Sequence, residues 1–399
     1  MRALRGIAAV LALGVTACSE SGDGGGDNDN PPDGSTSARQ QFLTSVVDSA
    51  ILPSLAALVT ETAKLRDATA AWSSAPTDAA ALAAAREAFV TASAALQRTE
   101  LMQMGPGGSA DSFLGGEGIR EELYSWPVVS ACRVDQETVK NEFAAPDFFT
   151  TRLTNVYGLD ALEYLLYVEG EDNACPASQT INASGSWRMM VQTAGTLIQR
   201  RAAYAAVVSA QLASDAERLD QAWRQSFAAE VKDAGEDSSR FGSTQDAIDS
   251  LFAAIFYLER AVKDTKLGSP MGITAACMTS SCPDIVESRH AGLSLEWVRA
   301  NLEGFELVFL GGATAEAGFG FDDLLVDAGF DTLATTMRDE LVAAKAAAND
   351  ASGPMQDTLE VPSTRAVHTS VDALARNLKT QFVSALALRV PNEGAADND

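Results

Sequence analysis

Asp160 and Glu163 stand three residues apart in the stretch Tyr157-Gly158-Leu159-Asp160-Ala161-Leu162-Glu163-Tyr164-Leu165-Leu166-Tyr167. On a helix that spacing brings both carboxylates to one face, with Tyr164 and Tyr167 flanking them and Leu159, Leu162 and Leu166 opposite. The plainest reading is an amphipathic helix whose acids point at water. Against it, Val156 and two tyrosines share the acidic stripe, which a solvent face does not require. Carboxylates in a partly buried setting need cations or hydrogen bonds, and paired carboxylate oxygens suit hard or borderline metals. Other chemistry is scarce. The chain has no H-E-x-x-H, G-x-S-x-G, Walker or G-x-G-x-x-G motif, and His290 and His368 are its only imidazoles. Acid–base work or metal binding would therefore rest on carboxylates. His290, beside Arg289, reads first as an ordinary surface histidine.

The elements that must position this stretch are helices. Phe42, Val46, Val47, Ile51, Leu55 and Leu58 recur at helical spacing, with Pro53 as a local irregularity. A second helix is predicted from an N-cap at Thr77 to about Met104, where Gly105-Pro106-Gly107-Gly108 stops it. Further helices are expected near 135–143, 148–168, 186–212, 214–231, 244–266, 293–309, 321–348 and 363–388. No segment alternates with the period of a strand. The expected fold is all-α: two helical-bundle domains, residues 39–231 and 232–399.

Composition agrees with that reading and narrows the compartment. Hydrophobic residues are 46% of the 399, but aromatics only 7%, in Ala-rich windows that favour helix. Arg2 and Arg5, a short apolar run and Val15-Thr16-Ala17-Cys18 read as a lipoprotein signal peptide over residues 1–17, with Cys18 as the lipidated residue. Ser19, in place of an aspartate, favours sorting to the outer membrane, facing the periplasm, with surface display left open. Several acyl chains on Cys18 would make a stable lipid anchor. Residues 18–38, rich in Gly, Asp, Asn, Pro and Ser, read as a flexible tether. The net charge of −25 becomes about −27 once Arg2 and Arg5 are cleaved away. Such a surface keeps the protein soluble, attracts cations and argues against a nucleic-acid partner.

With Cys18 taken by lipid, Cys132, Cys175, Cys277 and Cys282 remain, an even set in an oxidising compartment. Of three possible pairings, Cys132–Cys175 with Cys277–Cys282 keeps each bridge within one half of the chain. A four-thiolate zinc site lacks the C-x-x-C knuckles it would need.

Gly158-Leu159-Asp160-Ala161-Leu162-Glu163 resembles the G-x-H-x-x-E helix of the imelysin family, bacterial envelope proteins linked to iron uptake and once described as peptidases. Gln97-Arg98-Thr99-Glu100 through Gly105-Pro106 resembles that family's helix ending in Gly-Pro, and Leu123-Tyr124-Ser125-Trp126-Pro127 its W-P segment. Ala300-Asn301-Leu302-Glu303-Gly304 resembles its N-x-x-G helix, and Pro391–Asp399 its Gly- and Asp-rich tail. The likeness spans about Phe42 to the C-terminus. One position departs from it: Asp160 stands where the family motif has histidine, as in an imelysin-like branch. Aspartate still ligates Fe, Mn, Ca or Mg, but the imidazole that favours late transition metals is lost.

The resemblance implies two packed bundles with the functional site at their junction. It implies a metal site of Asp160, Glu163 and Glu100, iron first, and a ligand-binding set of Arg120, Asn301 and Glu303. The function so implied is binding of a metal ion or an iron-bearing ligand in an envelope uptake system, with an iron-uptake receptor or another envelope protein as partner. Two alternatives stay open. One is a scaffold or binder of a non-metal ligand; the other is a metallopeptidase, for which the motif lacks its histidine.

Overall fold

The three-dimensional structure is a computed structural model that describes residues 36–109, 116–314 and 316–391. The signal segment 1–17, the lipidation site Cys18 and the chain end 392–399 lie outside the described residues. So does the tether up to residue 35, whereas its last residues from Thr36 already belong to the first helix. Among the described residues there are helices and loops and no strand, so the fold is all-α, as the periodicity predicts.

Helix α1 (Thr36–Ser74) carries the first apolar stripe, and Phe42, Val46, Val47, Ile51, Leu55 and Leu58 are all in the core. Its backbone opens into a π-turn at Val47–Ile51, directly before Pro53. Proline has no N–H to donate and its ring crowds the preceding turn; a widened turn relieves both without ending the helix. Helix α2 (Ala79–Met102) is capped by Asp78, whose side chain accepts from the Ala80 amide, rather than by Thr77. Both helices have the length and apolarity of a membrane span, but their apolar stripes face other helices. α1 packs along α2 and along α6 (Thr196–Ala222), and this trio forms the main bundle of the N-terminal half.

Short helices α3 (Ile119–Leu123), α4 (Ala131–Lys140) and α5 (Leu159–Tyr167) close one side of that bundle, α5 lying on both α2 and α6. Downstream come α7 (Thr244–Ile255), a π-helical segment Leu258–Gly268, α8 (Ser294–Phe309), α9 (Asp331–Asp350) and α10 (Pro362–Asn377). α9 packs on α10, α10 on the π-helical segment, and α8 on α9 and back onto α2. The described residues cluster as one compact unit. Both disulfides pair as the sequence predicts, Cys132 with Cys175 and Cys277 with Cys282.

Several predicted boundaries are corrected. The single helix expected over 148–168 is broken, because Gly158 takes φ +94° and starts α5 afresh after an irregular stretch. Gly195 (φ +76°) likewise divides 186–212, and Gly329 (φ +83°) divides 321–348. At Ser214 the reverse holds, since α6 runs straight through it.

Candidate functional site

α5 does not offer its acids to solvent. Asp160 and Glu163 are 6% and 4% exposed, so the plain amphipathic reading fails at both. Asp160 Oδ2 accepts from the Ser125 hydroxyl at 2.7 Å and Oδ1 from the Ala161 amide at 3.0 Å. Glu163 Oε1 accepts from the backbone amides of His290 and Ala291, at 2.9 and 3.0 Å, so a loop of the C-terminal half closes over it. Gly158 fits this corner because a Cβ there would stand 2.9 Å from Asp160 Oδ1 and 3.3 Å from the Leu123 carbonyl.

Burial dominates the electrostatics of the pair. It pushes the Asp160 carboxyl up to about 6, against the bonds from Ser125 and the Ala161 amide. Glu163 is pushed up to about 7, also by burial, against the Ala291 amide, the Ser288 hydroxyl and the His290 amide; the neighbouring Asp160 charge raises it further. Both groups therefore hold protons well above the usual carboxylate range.

A second group of buried charges lies beside them. Glu100, in the last turn of α2, is bound by Arg120 Nε of α3 at 2.8 Å. Lys266, fully buried on the π-helical segment, reaches Gln97 Oε1 at 2.5 Å, Asn301 Oδ1 at 2.8 Å and Glu287 Oε1 at 3.1 Å, with Glu100 Oε2 at 3.6 Å. That uses all three ammonium donors. Asn301 of α8 in turn donates to the Gln97 carbonyl at 2.7 Å. Tyr124 donates to Glu287 Oε1 at 2.7 Å and joins the two groups: burial raises its pKa, and the charges of Glu287, Asp160 and Glu163 raise it further. Burial weighs against the charge on Arg120, but Glu100 outweighs it and the guanidinium pKa is raised. Glu287 is raised by burial and by Glu100, against the pull of Lys266 and Tyr124.

The junction thus brings together Glu100, Arg120, Asp160, Glu163 and Asn301 from the sequence-predicted set. Glu303 is not among them; it points outward and pairs with Arg98 at 2.6 Å, half-exposed. The reason is helical phase: Asn301 and Gly304 face α2, which turns Glu303 to the flank. His290 is half-buried, its ring edge-on to Tyr164 at 5.1 Å, and burial with Arg289 lowers its pKa to about 4, leaving it neutral at pH 7. Lys266 and Glu287 are participants that sequence reasoning missed, and Gln97, Tyr124 and Ser125, singled out there only as motif residues, were given no place in the site. Lys266 carries a faint signal, a lysine with no carboxylate three or four residues away to pair with on its own helix. Glu287, in a loop, carries none.

Four carboxylates share this region with two cations, Lys266 and Arg120, and the buried Oε2 atoms of Glu100 and Glu287 have no hydrogen-bond partner. The charge excess suits a cation. The ligand geometry is another matter: among the described residues no three His, Cys, Asp or Glu side chains are grouped so as to hold a metal ion. Asp160, Glu163 and Glu100 are neighbours, not one ligand set.

The comparisons with known proteins agree with this architecture. The family model described as Imelysin matches residues 51–381, most of the chain. The chain belongs to the imelysin family. Two solved structures share its fold at 16% identity. One is from Parabacteroides distasonis, assigned as an iron-regulated protein A precursor, with a TM-score of 0.68 over 88% of this chain and 96% of that one. The other is an imelysin-like protein from Psychrobacter arcticum, with a TM-score of 0.67 over 89% and 98%. No curated protein matches. At such identity the solved relatives speak for the fold of this imelysin and not for its ligand.

Proposed function

We propose that this imelysin is an envelope lipoprotein, anchored in the outer membrane through Cys18 and facing the periplasm, that takes up a metal cation at the α5 junction, iron before others. The observation that carries the reading is a pair of buried carboxyls on one turn of α5: Asp160 and Glu163 are pushed by burial up to about 6 and about 7. A metal would supply there the positive charge that the protons now supply, with Asp160 and Glu163 as its holders and Glu100 and Glu287 close behind. The assignment of a solved relative as iron-regulated supports iron as the first candidate; an uptake receptor or another envelope protein is the partner that such a role would need. Arg120 and Lys266 keep Glu100 and Glu287 in place.

A second reading has its own support. The scattered placement of the acids favours a non-metal ligand or a scaffold role. Calorimetric titration with ferrous, ferric, manganous and calcium ions separates the two. Wild type should bind, releasing protons near pH 6.5, and Asp160→Asn with Glu163→Gln should not. Equal binding by both removes the metal from this helix, and binding by neither transfers the weight to the second reading.

A further inference from the structure

Away from that junction, a cavity of about 420 Å³ opens between α2, the end of α5 and the start of α6. Trp72, Leu82, Leu165 and Ile198 form an apolar wall, and charged side chains line the rest: Arg86 and Arg201, with Glu169 and Glu171 at the exposed rim. Arg86 is accounted for: Nε donates to the Leu166 carbonyl at 2.8 Å, the guanidinium lies over the Tyr167 ring, and Glu169 stands 3.7 Å away. Arg201 is not. It is 4% exposed, and Nη1 reaches the carbonyls of Val168 and Gly170, at 3.4 and 3.2 Å. Its Nε and Nη2 are buried with no hydrogen-bond partner. The nearby Asp135 supports the Arg201 charge at a distance, but makes no hydrogen bond to it; its Oδ2 accepts from Tyr164 and from the Ala174 amide, both at 2.8 Å.

A buried guanidinium with two idle nitrogens is costly, and an unsatisfied charged donor calls for a partner. The cavity adds a second preference for negative charge. Gly195, Leu197 and Ile198 place the N-terminal end of α6, the positive pole of a 27-residue helix, in the same wall. Leu197 and Arg201 are one turn apart on that helix, so the apolar wall and the cation share a face. We infer that this cavity is a binding site for a carboxylate carried on an apolar body, the carboxylate engaging Arg201 and the body lying against Leu82, Leu165 and Ile198. A planar guanidinium fork matches a carboxylate in geometry, and an apolar wall beside the buried Arg201 selects the amphipathic acid over either half alone.

The same chemistry is offered by a free organic acid and by the C-terminal residue of a peptide. Hexanoate is the probe for the first, N-acetyl-leucyl-leucine for the second, and hexanol the neutral control, all titrated into the full-length protein by calorimetry or by chemical-shift mapping. Hexanoate or the dipeptide should bind where hexanol does not, and whichever binds more tightly identifies the source. Arg201→Gln should weaken binding by about tenfold or more, the loss of a charge-assisted hydrogen bond. Because Arg201 also braces the 168–170 loop, Leu82→Trp serves as the second variant: it fills the cavity, keeps Arg201, and should abolish binding with the melting temperature unchanged. Hexanol binding as well as hexanoate, unchanged affinity in both variants, or no binding of either acid to the wild type would overturn the inference.

Discussion

At the scale of single residues, the junction stores free energy in protonation. Asp160 and Glu163 bind protons more tightly folded than unfolded, since burial lifts them to about 6 and about 7. Between roughly pH 4 and 7 the folded state therefore carries protons that the unfolded chain has released, and stability falls as pH rises through that window. Below pH 4 both states are protonated and the pair costs nothing. Above 7 the full penalty stands, on the order of a few kcal/mol for two fully buried groups. Asp160→Asn with Glu163→Gln keeps the acceptors for the Ala161, His290 and Ala291 amides while removing the charge. Denaturant melts of the metal-free protein should show the variant equal to wild type at pH 4 and more stable at pH 8. Parallel pH profiles for the two proteins would mean that these carboxyls titrate normally. Such a gain on removing the two charges marks a site kept for function at the expense of stability.

At the scale of elements, the junction depends on how closely α8 approaches α2. Gly304 permits it: a Cβ there would lie 2.2 Å from the Arg98 carbonyl oxygen and 3.0 Å from Arg98 C and Cα, all backbone atoms that cannot rotate away. Asn301, one turn earlier on the same face, uses that closeness to reach the Gln97 carbonyl. In an isolated helix Gly→Ala would be favourable by about 1 kcal/mol. Here Gly304→Ala should instead destabilise by about 1–3 kcal/mol, the usual cost of overpacking a filled interface, read as a lowered denaturant midpoint at constant slope. A stabilised variant would show that the helices separate freely. Asn301 and Gly304 were legible in the sequence as a motif, and α1 was legible from its stripe, because helical periodicity is a local property. The breaks at Gly158, Gly195 and Gly329 were not, since a glycine inside a periodic run reads as helix until its neighbours force a positive φ. Ser214 misled in the opposite sense, a capping residue type that solvent exposure allows in mid-helix.

At the scale of the whole molecule, what escaped the sequence is what crosses it. Tyr124 and Glu287 meet across 163 positions, Gln97 and Lys266 across 169, and nothing in the spacing of either pair announces the contact. Asp160 and Glu163 could be singled out by their own three-residue interval, but the loop at His290 that seals them could not. These crossings bear on whether residues 39–231 and 232–399 stand alone. Severed between them, the N-terminal part would lose the amides that hold Glu163 and the Asn301 donor to Gln97. Gly304 would leave a groove along α2. In the C-terminal part Lys266 and Glu287 would keep each other but lose Gln97, Glu100 and Tyr124, and breaking a buried charge network of this kind costs about 3–5 kcal/mol, a large share of a domain's stability. Residues 39–231 expressed alone should therefore lack a cooperative thermal transition by circular dichroism while retaining helix, and co-expression with 232–399 should restore it. A fragment that melts cooperatively near the temperature of the intact chain would mean that the α1–α2–α6 core suffices and that the junction was assembled between two finished bundles.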